Sequence, residues 1–204
     1  MKKLFILISI VASSTMVLAQ QGSWYIGGMV GYNSVKNNPD GPGGNTVTTT
    51  WAFSPEAGTF LKDDIQLGLA LGLSGGKTRF DGDDEAKFTA INPTVYGRKF
   101  FKITDNFSTF AGVYLHLVNE TETDYGVTTV ETKGSGFGAN VGVGVAYALS
   151  PKFTAVGQFG VFGFETVKNK VDGDDVDKDS TFGFGVNTVG GSVFNVGIYY
   201  TFKQ

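Results

Sequence analysis

Residues 66–74 read QLGLALGLS: leucine stands at 67, 69, 71 and 73, with Gln, Gly, Ala, Gly and Ser between and around. Side chains alternate faces along a strand, so the stretch has one continuous leucine face and one face of very small residues. A strand whose second face met water would carry Lys, Glu or Thr there. This second face suits a tight interior instead.

The same alternation recurs outward from this stretch in eight segments, at about 23–36, 46–61, 66–80, 87–101, 107–121, 134–149, 153–168 and 181–202. Trp24, Ile26, Val30 and Tyr32 share a parity, as do Trp51, Phe53, Ala57 and Leu61. Ala139, Val141, Val143, Val145, Tyr147 and Leu149 oppose Gly138, Asn140, Gly142, Gly144 and Ala146, and Phe194, Val196, Ile198, Tyr200 and Phe202 form the last stripe. Each stripe runs for about ten residues, the length a tilted strand needs to cross a hydrocarbon layer. In the seventh segment Phe159 and Phe162 have opposite parity, so its orientation stays open.

The connectors alternate in length. KDD (62–64), KITDN (102–106) and SPK (150–152) are tight, with turn-forming Asp, Asn and Pro. NNPDGPGGN (37–45), DGDDEA (81–86), ETDYGVTTVETK (122–133) and NKVDGDDVDKDS (169–180) read as longer loops. Short turns at one end and long loops at the other describe an outer-membrane barrel with its chain ends on the periplasmic side. A secreted sandwich or lipocalin-like barrel would also alternate, but it would not sort nearly all charge into loops. The expected fold is therefore all-β, an eight-stranded antiparallel transmembrane up-and-down β-barrel. Eight strands leave a lumen that side chains can fill, so no open pore is expected.

Bulk properties agree with this reading. A chain of 204 residues with 30 Gly, 18 Phe and 17% charged residues fits one closed barrel and no bundle of membrane helices. No cysteine is present, which excludes disulfides and thiolate metal sites. MKKLFILISIVASSTMVLAQQ opens with two lysines and an apolar run that ends at Ala19, the pattern of a signal peptide over 1–19 cleaved near Ala19/Gln20. The barrel domain is then 20–204. Without Lys2 and Lys3 the chain has 14 basic and 19 acidic residues, so nucleic acid is not an expected partner.

Three hairpins carry a resemblance. SPEAGTFLKDDIQLGLALGLS (54–74), NPTVYGRKFFKITDNFSTFAGVYL (92–115) and ANVGVGVAYALSPKFTAVGQFG (139–160) resemble the small outer-membrane β-barrel domain family. That resemblance implies a porin-like barrel related in architecture to OmpX-like and OmpA-like domains, in a family with no shared catalytic activity.

Glu56 and Arg98 are the leading candidate pair. Glu56 lies on the face opposite Trp51 and Phe53, and Arg98 opposite Val95 and Phe101, so both point into the lumen from the strands flanking 66–80. An ion pair there would satisfy charges that a water-poor plug could not leave bare. Asn92, Tyr96, Tyr114, His116, Asn140, Gln158 and Tyr199 are candidates for a polar lumen network. Trp24, Trp51, Phe101, Phe107, Phe153, Tyr200 and Phe202 suit an interfacial aromatic girdle. His116, the single histidine, has no serine beside it for nucleophilic chemistry. DGDDE (81–85) and DGDDVDKD (172–179) lack the spacing of a calcium loop and read as solvated loop tips, so no metal or other cofactor is expected.

The expected function is non-enzymatic: a plugged barrel that serves envelope structure or surface interaction through its loops, with a narrow channel for small or hydrophobic solutes as the alternative. Its expected partners are outer-membrane lipid, lipopolysaccharide and the outer-membrane assembly machinery, and it is expected to be a monomer.

Overall fold

The computed structural model describes residues 21–37, 44–126, 128–171, 174–184 and 195–202. Its strands are β1 (Trp24–Asn37), β2 (Thr46–Lys62), β3 (Ile65–Phe80), β4 (Asp83–Lys102), β5 (Phe107–Tyr125), β6 (Thr129–Ala148), β7 (Phe153–Val171), β8 (Asp174–Phe184) and β9 (Asn195–Phe202). Each strand from β1 to β7 pairs antiparallel with the next, and β9 pairs with both β7 and β1, which closes a ring of eight staves. The eighth stave is built of β9 near the chain ends and β8 farther out, both paired to β7. The single segment 181–202 of the sequence reading is thus two strands, and residues 185–194 lie outside the described residues. The signal-peptide reading of 1–19 also falls outside them.

The leucines of 66–74 face outward: Leu69 is 65% exposed, while Gln66, on the opposite parity of the same strand, is 1% exposed. The other staves sort the same way, with an outward apolar band that ends in Ser34 and Lys36 on β1, Lys77 on β3, Lys87 on β4 and Lys133 on β6. On β5 the band runs from Phe107 to Leu117, 11 residues by position, and Asn119 follows. That length matches a strand tilted by about 45° across a hydrocarbon core. The band is therefore set by where the lysines begin.

Three readings of the sequence need correction. Residues 81–86 are not a loop: Asp81 (φ 50°) and Gly82 (φ 99°) make a two-residue turn and β4 starts at Asp83. Two successive positive φ values are what the hairpin turn favoured by an Asp-Gly pair requires. Residues 122–133 are likewise mostly ladder, because β5 reaches Tyr125 and pairs it with Thr129. In 169–180 the strands continue to Val171 and resume at Asp174. Backbone pairing does not depend on polar side chains when both faces are wet, and pairs such as Arg79–Asp84 (2.6 Å) and Asn169–Asp179 (2.8 Å) offset the acidic repulsion. The staves therefore project past the apolar band as hairpins.

Strand seven owes its mixed parity to a bulge. Phe162 pairs with Val141 but Gly160 pairs with Gly142, which leaves Val161 as an extra residue. A one-residue bulge inverts every following side chain. Phe153 and Phe159 thus share the outward face with Phe162 and Phe164, and Glu165 turns inward.

Candidate functional site

The lumen is filled in two layers. Nearer the short turns, Phe60, Phe100 and Phe110 stack in tilted contacts, 6.0 Å between the first two centroids and 5.2 Å between the last two. Tyr25 meets Phe60 edge-on at 5.7 Å. Gly144 on β6 leaves the room Phe110 occupies, since a Cβ there would collide with its ring. A cavity of only about 30 Å³ remains between Tyr25, Phe60, Gln66, Phe100 and Tyr199.

Above this floor lies a charged layer centred on Arg98, which is 2% exposed. Its Nε donates to the Tyr114 hydroxyl at 2.8 Å. Nη1 donates to Glu56 Oε2 (3.0 Å), Gln66 Oε1 (3.2 Å) and the Tyr199 hydroxyl (2.7 Å). Nη2 donates to Glu56 Oε1 (3.3 Å) and Gln158 Oε1 (3.1 Å). A guanidinium has five N–H groups in a fixed fork, and all of them have acceptors here. The ring of Tyr96 lies 4.0 Å from the guanidinium carbon, in cation–π contact.

The tyrosines complete the circuit in one direction. Tyr25 and Tyr96 hydroxyls are 2.6 Å apart, and Tyr96 donates onward to Glu56 Oε2 at 2.6 Å. Tyr199 donates to the same oxygen at 2.7 Å, and Tyr114 donates to Gln158 at 2.9 Å. Glu56, 7% exposed, thereby accepts from two phenols and the guanidinium, so the oxygens of the buried carboxylate are satisfied. The participants come from β1, β2, β3, β4, β5, β7 and β9, so every stave but β6 reaches into one network.

Outward of this layer the lumen opens. A cavity of about 240 Å³ is floored by Arg98 and Glu56 and walled by Asn92, His116, Asn140 and Gln158. A second, of about 390 Å³, continues past Asn92 to Glu120 and Glu165. His116 Nε2 lies 3.1 Å from Glu165 Oε2, and the two reach each other over Gly138, whose Cβ would strike the imidazole. Glu120 sits past Leu117, beyond the apolar band; burial first, then the carboxylates of Glu165 and Glu122, push its carboxyl above the usual range. At the short turns the opposite occurs, as a hydrogen bond from Lys99 holds Asp64 below it.

The structure brings Glu56, Arg98, Tyr96, Tyr114, Gln158 and Tyr199 into direct contact, and puts Asn92, His116 and Asn140 on the cavity wall above them. Tyr25 and Gln66 are members the sequence reading missed, though both lie on the inner parity of their strands. Glu165 was hidden by the bulge at Val161. Trp24, Phe101, Phe107, Phe153, Tyr200 and Phe202 face outward near the short turns, where Tyr200 packs edge-on against Phe153 at 5.1 Å and Phe202 at 4.8 Å. Trp51 faces outward nearer the other edge of the band, paired with Tyr32.

Comparison with known proteins agrees with this architecture. Neisserial surface protein A matches with a TM-score of 0.51 and 16% identity over 89% of this chain and 100% of its own. The outer membrane protein OprG from Pseudomonas aeruginosa matches with a TM-score of 0.54 and 14% identity over 93% of this chain and 100% of its own. At such identities the likeness concerns the fold. No curated protein sequence matches the chain. The family described as the outer membrane protein beta-barrel domain matches residues 4–202, nearly the whole length, and the chain belongs to that family.

Proposed function

We propose that this protein is a non-enzymatic outer-membrane barrel whose lumen is closed, and that it serves the envelope through the barrel itself and the hairpins that project from it. The observation that carries the reading is the saturation of Arg98: with every N–H already committed to Glu56, Gln66, Tyr114, Gln158 and Tyr199, none is left for a passing solute. The aromatic floor of Phe60, Phe100 and Phe110 supports the same reading from the other side. In this account Glu56 and Arg98 form a structural ion pair. A signal peptide over 1–19 would deliver the chain, the assembly machinery would insert it, and Trp24, Trp51 and the outward phenylalanines would seat it at the bilayer edges as a monomer.

A second reading, a narrow conduit for small or hydrophobic solutes, draws on the cavities of about 240 and 390 Å³ above the network. Alanine at Glu56 or at Arg98 separates the two. A structural plug predicts lower thermal stability with no change in solute entry into liposomes. Solute entry that falls in either variant while stability holds would overturn the closed-barrel reading in favour of the conduit.

A further inference from the structure

The outward wall of β6, β7 and β8 changes chemistry with height. On the β7–β8 pair, Phe164 stands opposite Phe182, Thr166 opposite Ser180, and Lys168 opposite Lys178. Neighbouring β6 repeats the order, with Phe137 against Thr166, Ser135 against Lys168 and Lys133 against Lys170. The rings form a patch: Phe162 meets Phe182 edge-on at 5.1 Å and Phe137 lies 6.2 Å from Phe164. Above it the hydroxyls of Thr166 and Ser180 are 3.1 Å apart. The lysine row follows, four residues beyond Phe164, or about 13 Å along the strand.

The lysine row is electrostatically unfavourable by itself. Residues directly opposite on an antiparallel pair have Cβ atoms about 5 Å apart, and like charges there destabilise the sheet. Lys133 is met by Glu131 at 2.8 Å, but among the described residues no carboxylate lies within ion-pair reach of Lys168 or Lys178. A surface groove of about 370 Å³ is lined by Lys168, Val176, Asp177 and Lys178. The one carboxylate in it, Asp177, accepts the backbone N–H of Lys178 at 2.7 Å. Glu165 and Asp179 lie toward the lumen, so neither offsets the Lys168–Lys178 pair from the outward face.

An occupant must carry an anion at the height of the lysines and apolar chains at the height of the phenylalanines. We propose that this wall binds a phosphorylated lipid of the outer leaflet, its phosphate held between Lys168 and Lys178 and its acyl chains laid along Phe137, Phe164 and Phe182. The inference rests on the membrane seat of the barrel and is independent of whether the lumen is closed.

The test uses the refolded full chain in neutral detergent micelles, with lipid A carrying both phosphates and its dephosphorylated form as probes, and bound lipid counted by native mass spectrometry. Wild type should hold the phosphorylated probe roughly thirtyfold more tightly than the dephosphorylated one, from two lysines at a charged interface. The double variant Lys168→Gln/Lys178→Gln should lose that preference while keeping the gel shift of a folded barrel, and Lys99→Gln, at the short-turn end, should retain it. Thermal stability gives a second readout with the opposite sign. Without lipid the double variant should melt at or above wild type, because the repulsion is gone, whereas added lipid A should raise the midpoint of wild type alone. Equal retention of lipid A by wild type and double variant, or equal retention of the two probes by wild type, overturns the proposal. So does a wild-type dimer that the double variant converts to monomer, which would make the wall a contact between copies.

Discussion

Glu56→Gln isolates the electrostatics of the plug, because Gln has nearly the shape of Glu and lacks only the charge and one acceptor. Glu56 Oε2 accepts from Tyr96, Tyr199 and Arg98 at 2.6, 2.7 and 3.0 Å, and Oε1 accepts from Arg98 at 3.3 Å. A Gln can place its carbonyl at only one of those positions, and its NH2 then faces donors at the other. Arg98 is left as a buried cation without a counter-charge. Breaking a buried pair from one side costs about 3–5 kcal/mol, and that is the expected loss of folding free energy. Arg98→Met alone strands the carboxylate and should cost a similar amount. The double variant removes both charges and fills the stem with an apolar chain, so it should cost no more than either single change, a coupling of about 3 kcal/mol. Urea unfolding from lipid vesicles would measure all four proteins, with linear extrapolation and the fluorescence of Trp24 and Trp51, which face outward on the barrel wall. Single-variant effects that add to within about 0.5 kcal/mol would refute the coupled network.

Leu69→Arg places a cation in the middle of the apolar band and should cost about 2–4 kcal/mol in the same assay; an unchanged value would mean Leu69 does not face lipid. Gly68→Ala puts a Cβ into the Tyr25 hydroxyl and within 2.6 Å of the Tyr96 ring, so it should lower stability by about 1–3 kcal/mol, while enlargement of an outward residue such as Ala57 should not. Deletion of Val161 removes the bulge but leaves Gly160 opposite Gly142 and Phe162 opposite Val141, so Phe162 and Phe164 should stay outward and Glu165 inward; the folded gel band is expected to persist, and its loss would contradict the register. Asp64 should titrate below an ordinary carboxylate by NMR and return to the usual range in Lys99→Gln. Because its folded value is the depressed one, its small contribution to stability is present above the unfolded value and lost as pH falls through the folded one.

The parts of this molecule legible from sequence are those where parity runs unbroken. Leu67 to Leu73 announce the outer face of β3, and the parities of Glu56 and Arg98 place both in the lumen with no knowledge of register. Gln66 belongs to the same quoted stretch, and its partner was invisible because contact across a lumen depends on which stave closes on which. Val161 shows a sharper limit. A bulge is one residue with no composition of its own, yet it reverses every later side chain and so concealed Glu165 as the neighbour of His116. The projecting hairpins were underestimated because acidic residues suggest loops, although Asp81-Gly82 is itself a strong turn signal between long strands.

The closed lumen is the central claim, and single-channel conductance of the refolded mature chain in a planar bilayer addresses it most directly, with folding checked first by the gel shift between unheated and boiled samples. A silent bilayer from correctly shifted protein is the predicted result. Steady conductance steps from the same material would contradict it, and would mean that the Glu56–Arg98 layer opens.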